Sequence, residues 1–166
     1  MSSGVDERQI DPELLGDHVG RLYRAAYGLC RSRQDAEDLV QDTFERVLRR
    51  PRFVRRDQDI VYLLRVLRNT WISQARTQRV AVVPLDESPE PAVGGGSDPV
   101  VDQVVGLGSV FEALHRLTEP LREAVVAVDV VGLSYRDAAR ALGTKEGTIM
   151  SRLHRGRSQI AASLTT

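Results

Sequence analysis

The 166-residue chain has a single cysteine, a single tryptophan, one lysine (Lys145) and one asparagine (Asn69), and aromatic residues make up only 5% of it. One cysteine, Cys30, excludes an internal disulfide, and its place on the apolar side of a helical repeat reads as a small core residue. His18, His115 and His154 stand far apart with no metal-ligand spacing, and no HExxH, GxGxxG or phosphate-loop sequence occurs. No metal, cofactor or small-molecule substrate is expected, and no convergent set of acid, base and nucleophile suggests an enzyme. The longest apolar run, residues 124–128, is too short to cross a bilayer, and the first residues carry no apolar signal core, so a cytoplasmic location is expected. Net charge is lacking as well: 23 Lys and Arg balance 23 Asp and Glu, which argues against a chain that coats DNA uniformly.

What is present is charge sorted by segment. Residues 80–115 contain no Lys or Arg, yet hold Asp86, Glu87, Glu90, Asp98, Asp102 and Glu112. Pro84, Pro89, Pro91, Gly94, Gly95, Gly96 and Pro99 interrupt any helix there. Residues 80–107 therefore read as a flexible acidic linker between two small domains, 10–79 and 108–164. Between residues 49 and 79 the charge is reversed, with nine arginines against Asp57 and Asp59.

Apolar residues recur at helical spacing through both parts, and no strand-like alternation competes, so the fold class is all-α. Asp11-Pro12 is an N-cap followed by proline at the first helical position, and Leu14, Leu15, His18, Val19, Leu22, Ala26 and Leu29 repeat at three and four, as in an amphipathic helix. A second helix from about Gln34 gathers Ala36, Leu39, Val40, Thr43, Phe44, Val47 and Leu48 on one stripe and ends at Pro51, while Asp38, Gln41, Asp42 and Glu45 form a separate stripe. On residue types alone that acidic stripe reads as the solvated side of the helix. A polar basic loop, residues 52–59, leads to a third helix with Leu63, Val66 and Leu67 inward and Arg65 and Arg68 toward solvent. Trp71 reads as core, and Phe53 as either core or a stacking group.

The second part begins near Ser109, restarts at Thr118-Glu119-Pro120, and continues as a valine-rich helix over residues 121–131. Ser134 with Asp137 three residues on forms a capping pattern, Gly143 permits a sharp turn, and Thr144 can cap a final helix reaching about Leu164. This is a helix-turn-helix. On the final helix Ile149, Leu153, Gly156 and Ile160 share one arc. The opposite arc carries Gly147, Ser151, His154 and Ser158, flanked by Thr148, Met150 and Arg155, and its short polar and basic groups suit base edges in a major groove. Lys145, Arg152, Arg155 and Arg157 supply phosphate attraction.

The motif order resembles the extracytoplasmic-function sigma factors of bacterial RNA polymerase over nearly the whole chain. The likeness rests on Asp35-Ala36-Glu37-Asp38-Leu39-Val40-Gln41-Asp42-Thr43-Phe44, on residues 63–69 with Tyr62 where the family usually has tryptophan, and on two segments of the helix-turn-helix. Those two are Gly132-Leu133-Ser134-Tyr135 and Gly147-Thr148-Ile149-Met150-Ser151-Arg152-Leu153-His154-Arg155-Gly156-Arg157. The resemblance implies that Asp38, Gln41, Asp42 and Glu45 dock on core RNA polymerase. It implies that Phe53, Arg55, Arg56, Arg65, Arg68 and Asn69 read a melted minus 10 element, and that Lys145, Thr148, Met150, Ser151, Arg152, His154 and Arg155 read a minus 35 element. It also implies promoter DNA and an anti-sigma factor as partners, the latter able to hold the chain at a membrane, and a linker that enters the polymerase cleft as a crude mimic of RNA. Met150 departs from the Lys or Arg common in the family, and Ser73 from a common aspartate. The competing reading is a stand-alone helix-turn-helix regulator, which predicts tight duplex binding without polymerase and a palindromic site.

Overall fold

The computed structural model describes residues 6–81 and 107–165, with the side chains of 79–81 left aside. The expected linker, with Asp86, Glu87, Glu90 and Asp98, lies outside the described residues. Three long helices make up the first part: α1 (Pro12–Leu29), α2 (Arg33–Arg49) and α3 (Asp59–Ala81). The start of α1 is fixed as its sequence suggests, because the Asp11 carboxylate accepts the backbone N–H of Leu14 and Pro12 opens the helix. Ser32 caps α2 through the N–H of Asp35, a contact worth about 1 kcal/mol. Leu22, Leu39, Leu63, Leu64, Leu67 and Val47 close the core among these helices, and each leucine buried contributes about 2 kcal/mol. Trp71 and Cys30 are half-buried and pack against this core.

The loop after α2 departs from the sequence reading. Residues Phe53–Arg55 form a short strand, β2, paired antiparallel with β1 (Glu7–Gln9), in the register Glu7 to Arg55, Arg8 to Val54 and Gln9 to Phe53. A single 3-10 turn, Arg56–Gln58, then delivers the chain into α3. The fold remains helical, but the basic loop is a pinned ribbon. Arg8 reaches across it to the buried carboxylate of Asp59 at 2.7 Å. Burial pushes the Asp59 carboxyl above the usual carboxylate range, against the pull of Arg8 and His18.

The second part is built from α4 (Gly108–His115), α5 (Glu119–Val125), α6 (Tyr135–Leu142) and α7 (Glu146–Leu164). The valine-rich helix expected over 121–131 is regular only to Val125; Val126–Val130 form a π turn closed by the Val131 N–H on the Val126 carbonyl. Ser134 caps α6 as expected, accepting the N–H of Asp137. Thr144 does not cap α7. Gly143 turns at φ +64, its N–H goes to the Arg140 carbonyl and that of Thr144 to the Ala139 carbonyl, so Thr144 closes α6 and Lys145 takes the N-cap position without a side-chain bond. Met150 is one of the few large apolar side chains left in solvent, at 53% exposure.

The two parts pack against each other. Arg21 of α1 donates to the Val131 carbonyl through Nε at 3.1 Å and Nη2 at 2.7 Å. Arg31 donates to the His115 carbonyl and Arg122 to that of Leu29, while His115 Nε2 meets the Tyr27 carbonyl at 2.7 Å. The rings of Tyr27 and Phe111 meet edge to face with centroids 5.1 Å apart. Helix α6 lies against α3.

Candidate polymerase and nucleic-acid interfaces

Helix α2 buries Ala36, Leu39, Val40, Thr43 and Val47 but leaves Leu48, at the end of the expected stripe, 40% exposed; the buried side turns Asp38, Gln41, Asp42 and Glu45, spaced three and four apart, to the opposite side. Asp38, Gln41 and Glu45 are exposed. Asp42 is half-buried because Gln74 of α3 donates to its carboxylate, and Asp38 accepts from Gln34 at 3.0 Å. The stripe is thus a continuous acidic helix face, held in place at Asp42.

The basic ribbon sets out the second group. Strand geometry sends Phe53 and Arg55 to one side and half-buried Val54 to the other, and Phe53 stands 70% exposed, which settles it as no part of the core. Arg56 pairs with Asp6 at 2.8 Å and Arg55 with Asp57 at 3.3 Å, both in solvent, where such pairs are weak and exchange readily. On α3, Arg65 and Asn69 are exposed four residues apart, and Arg68 is half-buried. Arg65, Tyr62, Gln58 and Val54 line one cavity of about 300 Å³ together with Arg140 of α6. Arg68 is drawn elsewhere, to Glu123 of α5 at 3.1 Å. The fold therefore holds Arg65 beside the loop, while it already engages Arg68.

The third group lies on α7. Ile149 and Leu153 are wholly buried, and Gly156 lets the helix approach α5 so closely that an added Cβ falls 2.8 Å from Val125 Cγ2. With that side sunk, Lys145, Met150, Ser151, His154 and Arg155 face solvent, and Thr148 and Arg152 are half-buried at the edges. Arg157, expected to attract phosphate, forms two bonds with the Asp129 carboxylate at 3.0 and 2.7 Å, which hold its charge in place.

Sequence reasoning missed Arg8, Gln58, Glu123 and Arg140, which position the basic face or occupy it. Their signal is absent from local pattern, since each acts through a partner distant in the chain. Among the described residues no group of three or more His, Cys, Asp or Glu could hold a metal ion, and no helix is long and apolar enough to cross a membrane. Burial pushes the Cys30 thiol up to about 12, which leaves it unreactive near neutral pH.

Comparison with known proteins identifies the family. The sigma-70 region 2 family matches residues 14–80, and sigma-70 region 4 matches residues 107–160. The chain is 37% identical over 155 residues to the ECF RNA polymerase sigma factor SigE of Mycolicibacterium smegmatis, covering 89% of this chain and 59% of that protein. It is 33% identical over 163 residues to the ECF sigma factor SigM of Mycobacterium tuberculosis, covering 95% of this chain and 79% of the relative. Among solved structures, the sigma factor RpoE of Bartonella quintana, in complex with the anti-sigma factor NepR, superposes with a TM-score of 0.65 at 28% identity, over 94% of this chain and 99% of that one. CnrH in complex with the cytosolic domain of CnrY superposes with a TM-score of 0.63 at 25% identity, over 92% and 86%. With region 2 ahead of region 4 and ECF relatives along nearly its whole length, the chain belongs to the ECF sigma factors of the sigma-70 family.

Proposed function

We propose that this chain is a promoter-specificity subunit: it binds core RNA polymerase, recognises two promoter elements and helps open the duplex between them. The observation that carries the reading is the presence, on one chain, of an exposed acidic helix face and two separate exposed basic faces, one on a ribbon and one on a helix-turn-helix. In this reading residues 10–79 form region 2, 108–164 form region 4, and 80–107 tether them. Asp38, Gln41, Asp42 and Glu45 dock on polymerase. Phe53 stacks on an unpaired base, and Arg55, Arg56, Arg65, Arg68 and Asn69 hold the melted minus 10 strand by phosphate and base-edge contacts. Lys145 and Arg152 fix the register on the backbone at minus 35, and Thr148, Met150, Ser151, His154 and Arg155 face its major groove.

No chemical step is assigned to the protein; binding energy is spent on stabilising an open duplex. The zero net charge fits a subunit whose electrostatic grip on DNA is supplied largely by polymerase. The chain acts in the cytoplasm, and an anti-sigma factor is a fitting regulator, since the related RpoE was captured with one. The test is transcription in vitro with purified chain, with and without core RNA polymerase, on a pool of genomic promoters. Initiation at specific sites only when chain and core are both present supports the proposal; tight, specific duplex binding without core and no effect on initiation overturns it in favour of a stand-alone regulator.

A further inference from the structure

The outward arc of α7 differs in chemistry from one flank to the other. At about 100° per residue from the buried seat of Ile149, Leu153 and Gly156, Ser151 and Arg155 run toward one flank, with half-buried Thr148 and Arg152 beyond them. Met150 lies on the other flank, with His154 between. The first flank is made of hydrogen-bond donors. Met150 offers neither a strong donor nor a strong acceptor, yet it stands 53% exposed, a large apolar side chain on an arc otherwise made of polar groups, an arginine and a glycine.

Its neighbours decide what it can meet. A methionine on a helix leans back over the preceding turn, and that turn holds Gly147, where an added Cβ finds nothing within 4 Å. The thioether therefore has open space toward the middle of the arc, at the N-terminal end of the helix, where a helix-turn-helix meets base edges. The exposed carboxylate of Glu146, one turn before Met150 and on its flank, repels phosphate. Arg157, the cation of the same flank, is bonded twice to Asp129. This flank is thus unsuited to a DNA backbone and suited to an apolar feature of the groove. A base pair presents one such feature there, the C5-methyl group of thymine. Against the donors and acceptors of the other base edges, a thioether removes water and returns no hydrogen bond.

We propose that Met150 is a specificity determinant for a 5-methylpyrimidine: it packs on the C5-methyl group of a thymine in the minus 35 element and selects that base by apolar contact. Ser151, His154 and Arg155 select theirs by hydrogen bonds. This rests on the reading of α7 as the minus 35 reader. Thymine is the source expected in a promoter, and cytosine methylated at C5 presents the same group.

The experiment uses the full chain with core RNA polymerase on duplex promoters randomised across the minus 35 element. The unaltered chain is compared with Met150→Gln, Met150→Leu and Arg155→Ala, each checked by thermal melting. Met150→Gln, which keeps the length of the side chain and removes its apolar character, is expected to lose a thymine preference at one position. Met150→Leu is expected to restore it, and Arg155→Ala to weaken the preference at a different position. At each position where the unaltered chain prefers thymine, synthetic duplexes then carry thymine, uracil, cytosine or 5-methylcytosine. Uracil in place of thymine is expected to weaken binding about fourfold at the position facing Met150, the factor that corresponds to about 0.8 kcal/mol for one buried methyl group. There 5-methylcytosine is expected to bind about fourfold more tightly than cytosine, and both differences to vanish in Met150→Gln.

Equal binding of thymine and uracil by the unaltered chain overturns the inference, and that comparison needs no substitution in the protein. So does a difference between them that survives Met150→Gln, or a minus 35 preference without thymine at any position. A gain for thymine with none for 5-methylcytosine supports the contact for thymine alone. A preference that Arg155→Ala alters and Met150→Gln leaves whole overturns the inference while the minus 35 reading stands; no preference anywhere in the element with core present overturns both.

Discussion

Two surfaces of similar charge meet opposite circumstances in this molecule. The outer arc of α7 is left in solvent because Ile149, Leu153 and Gly156 sink its other side into region 4 alone. The basic face of region 2 is built from a ribbon, a turn and a helix, needs Arg8 and Asp59 to hold it, and is partly occupied by Glu123 from the other half of the chain. A face seated on a single helix needs only that helix's own core. A face assembled from distant segments depends on clamps, and the clamps give other parts of the chain a hold on it.

The largest expected effect breaks the assembled face. Arg8→Ala leaves the buried Asp59 carboxylate without its cation and should cost about 3 kcal/mol in a urea titration of the full chain. Activity from a minus 10-dependent promoter should fall with it. Next, Gly156→Ala attacks the other face at its seat, forcing α7 off α5; a loss of about 2 kcal/mol, read by thermal melting, is expected together with loss of minus 35 preference. If Gly156→Ala melts region 4 without moving the region 2 transition, the two faces fold as separate units.

Reversing Asp38 and Asp42 to Lys sharpens the comparison by changing neither basic face. Polymerase affinity in a pull-down or competition assay should drop about tenfold with helicity unchanged, and unaltered affinity would remove these residues from the interface. Arg155→Ala should soften the minus 35 preference in a promoter library by about 1 kcal/mol while leaving minus 10 preference intact. The smallest effect concerns pH. Burial, reinforced by Arg122 and Arg31, pushes the His115 imidazole below its ordinary range, against the carbonyls of Tyr27 and Cys30; the Tyr27 and Phe111 rings also face it. A depressed pKa in the folded chain contributes stability that is present at higher pH and lost as pH falls. The packing of the two parts should therefore weaken slightly between about pH 7.5 and 6, read by thermal melting. Glu123, whose carboxyl burial pushes up, works in the opposite sense nearer the carboxylate range.

Legibility followed the range of the interactions. The helices are visible in sequence because their cores repeat every three or four residues, and Asp11, Ser134 and Gly143 mark boundaries by chemistry that acts within a few positions. The arc of α7 was readable for the same reason. The three-residue strands were not, since so short a stretch shows no alternation and its partner lies over forty residues away in the register of Gln9 with Phe53. Thr144 misled because the same residue type that caps a helix start here closes the preceding helix with its backbone. Nothing in sequence flags Glu123 as the partner of Arg68, which lies 55 positions away.

Much of the grip between the two halves is arginine on neutral backbone: Arg21 on Val131, Arg31 on His115 and Arg122 on Leu29. Such bonds form without releasing condensed counterions, whereas each phosphate neutralised on a single strand makes binding fall with a salt exponent of about 0.7. Raising ionic strength should therefore weaken the proposed nucleic-acid contacts more than it loosens the packing of the two halves.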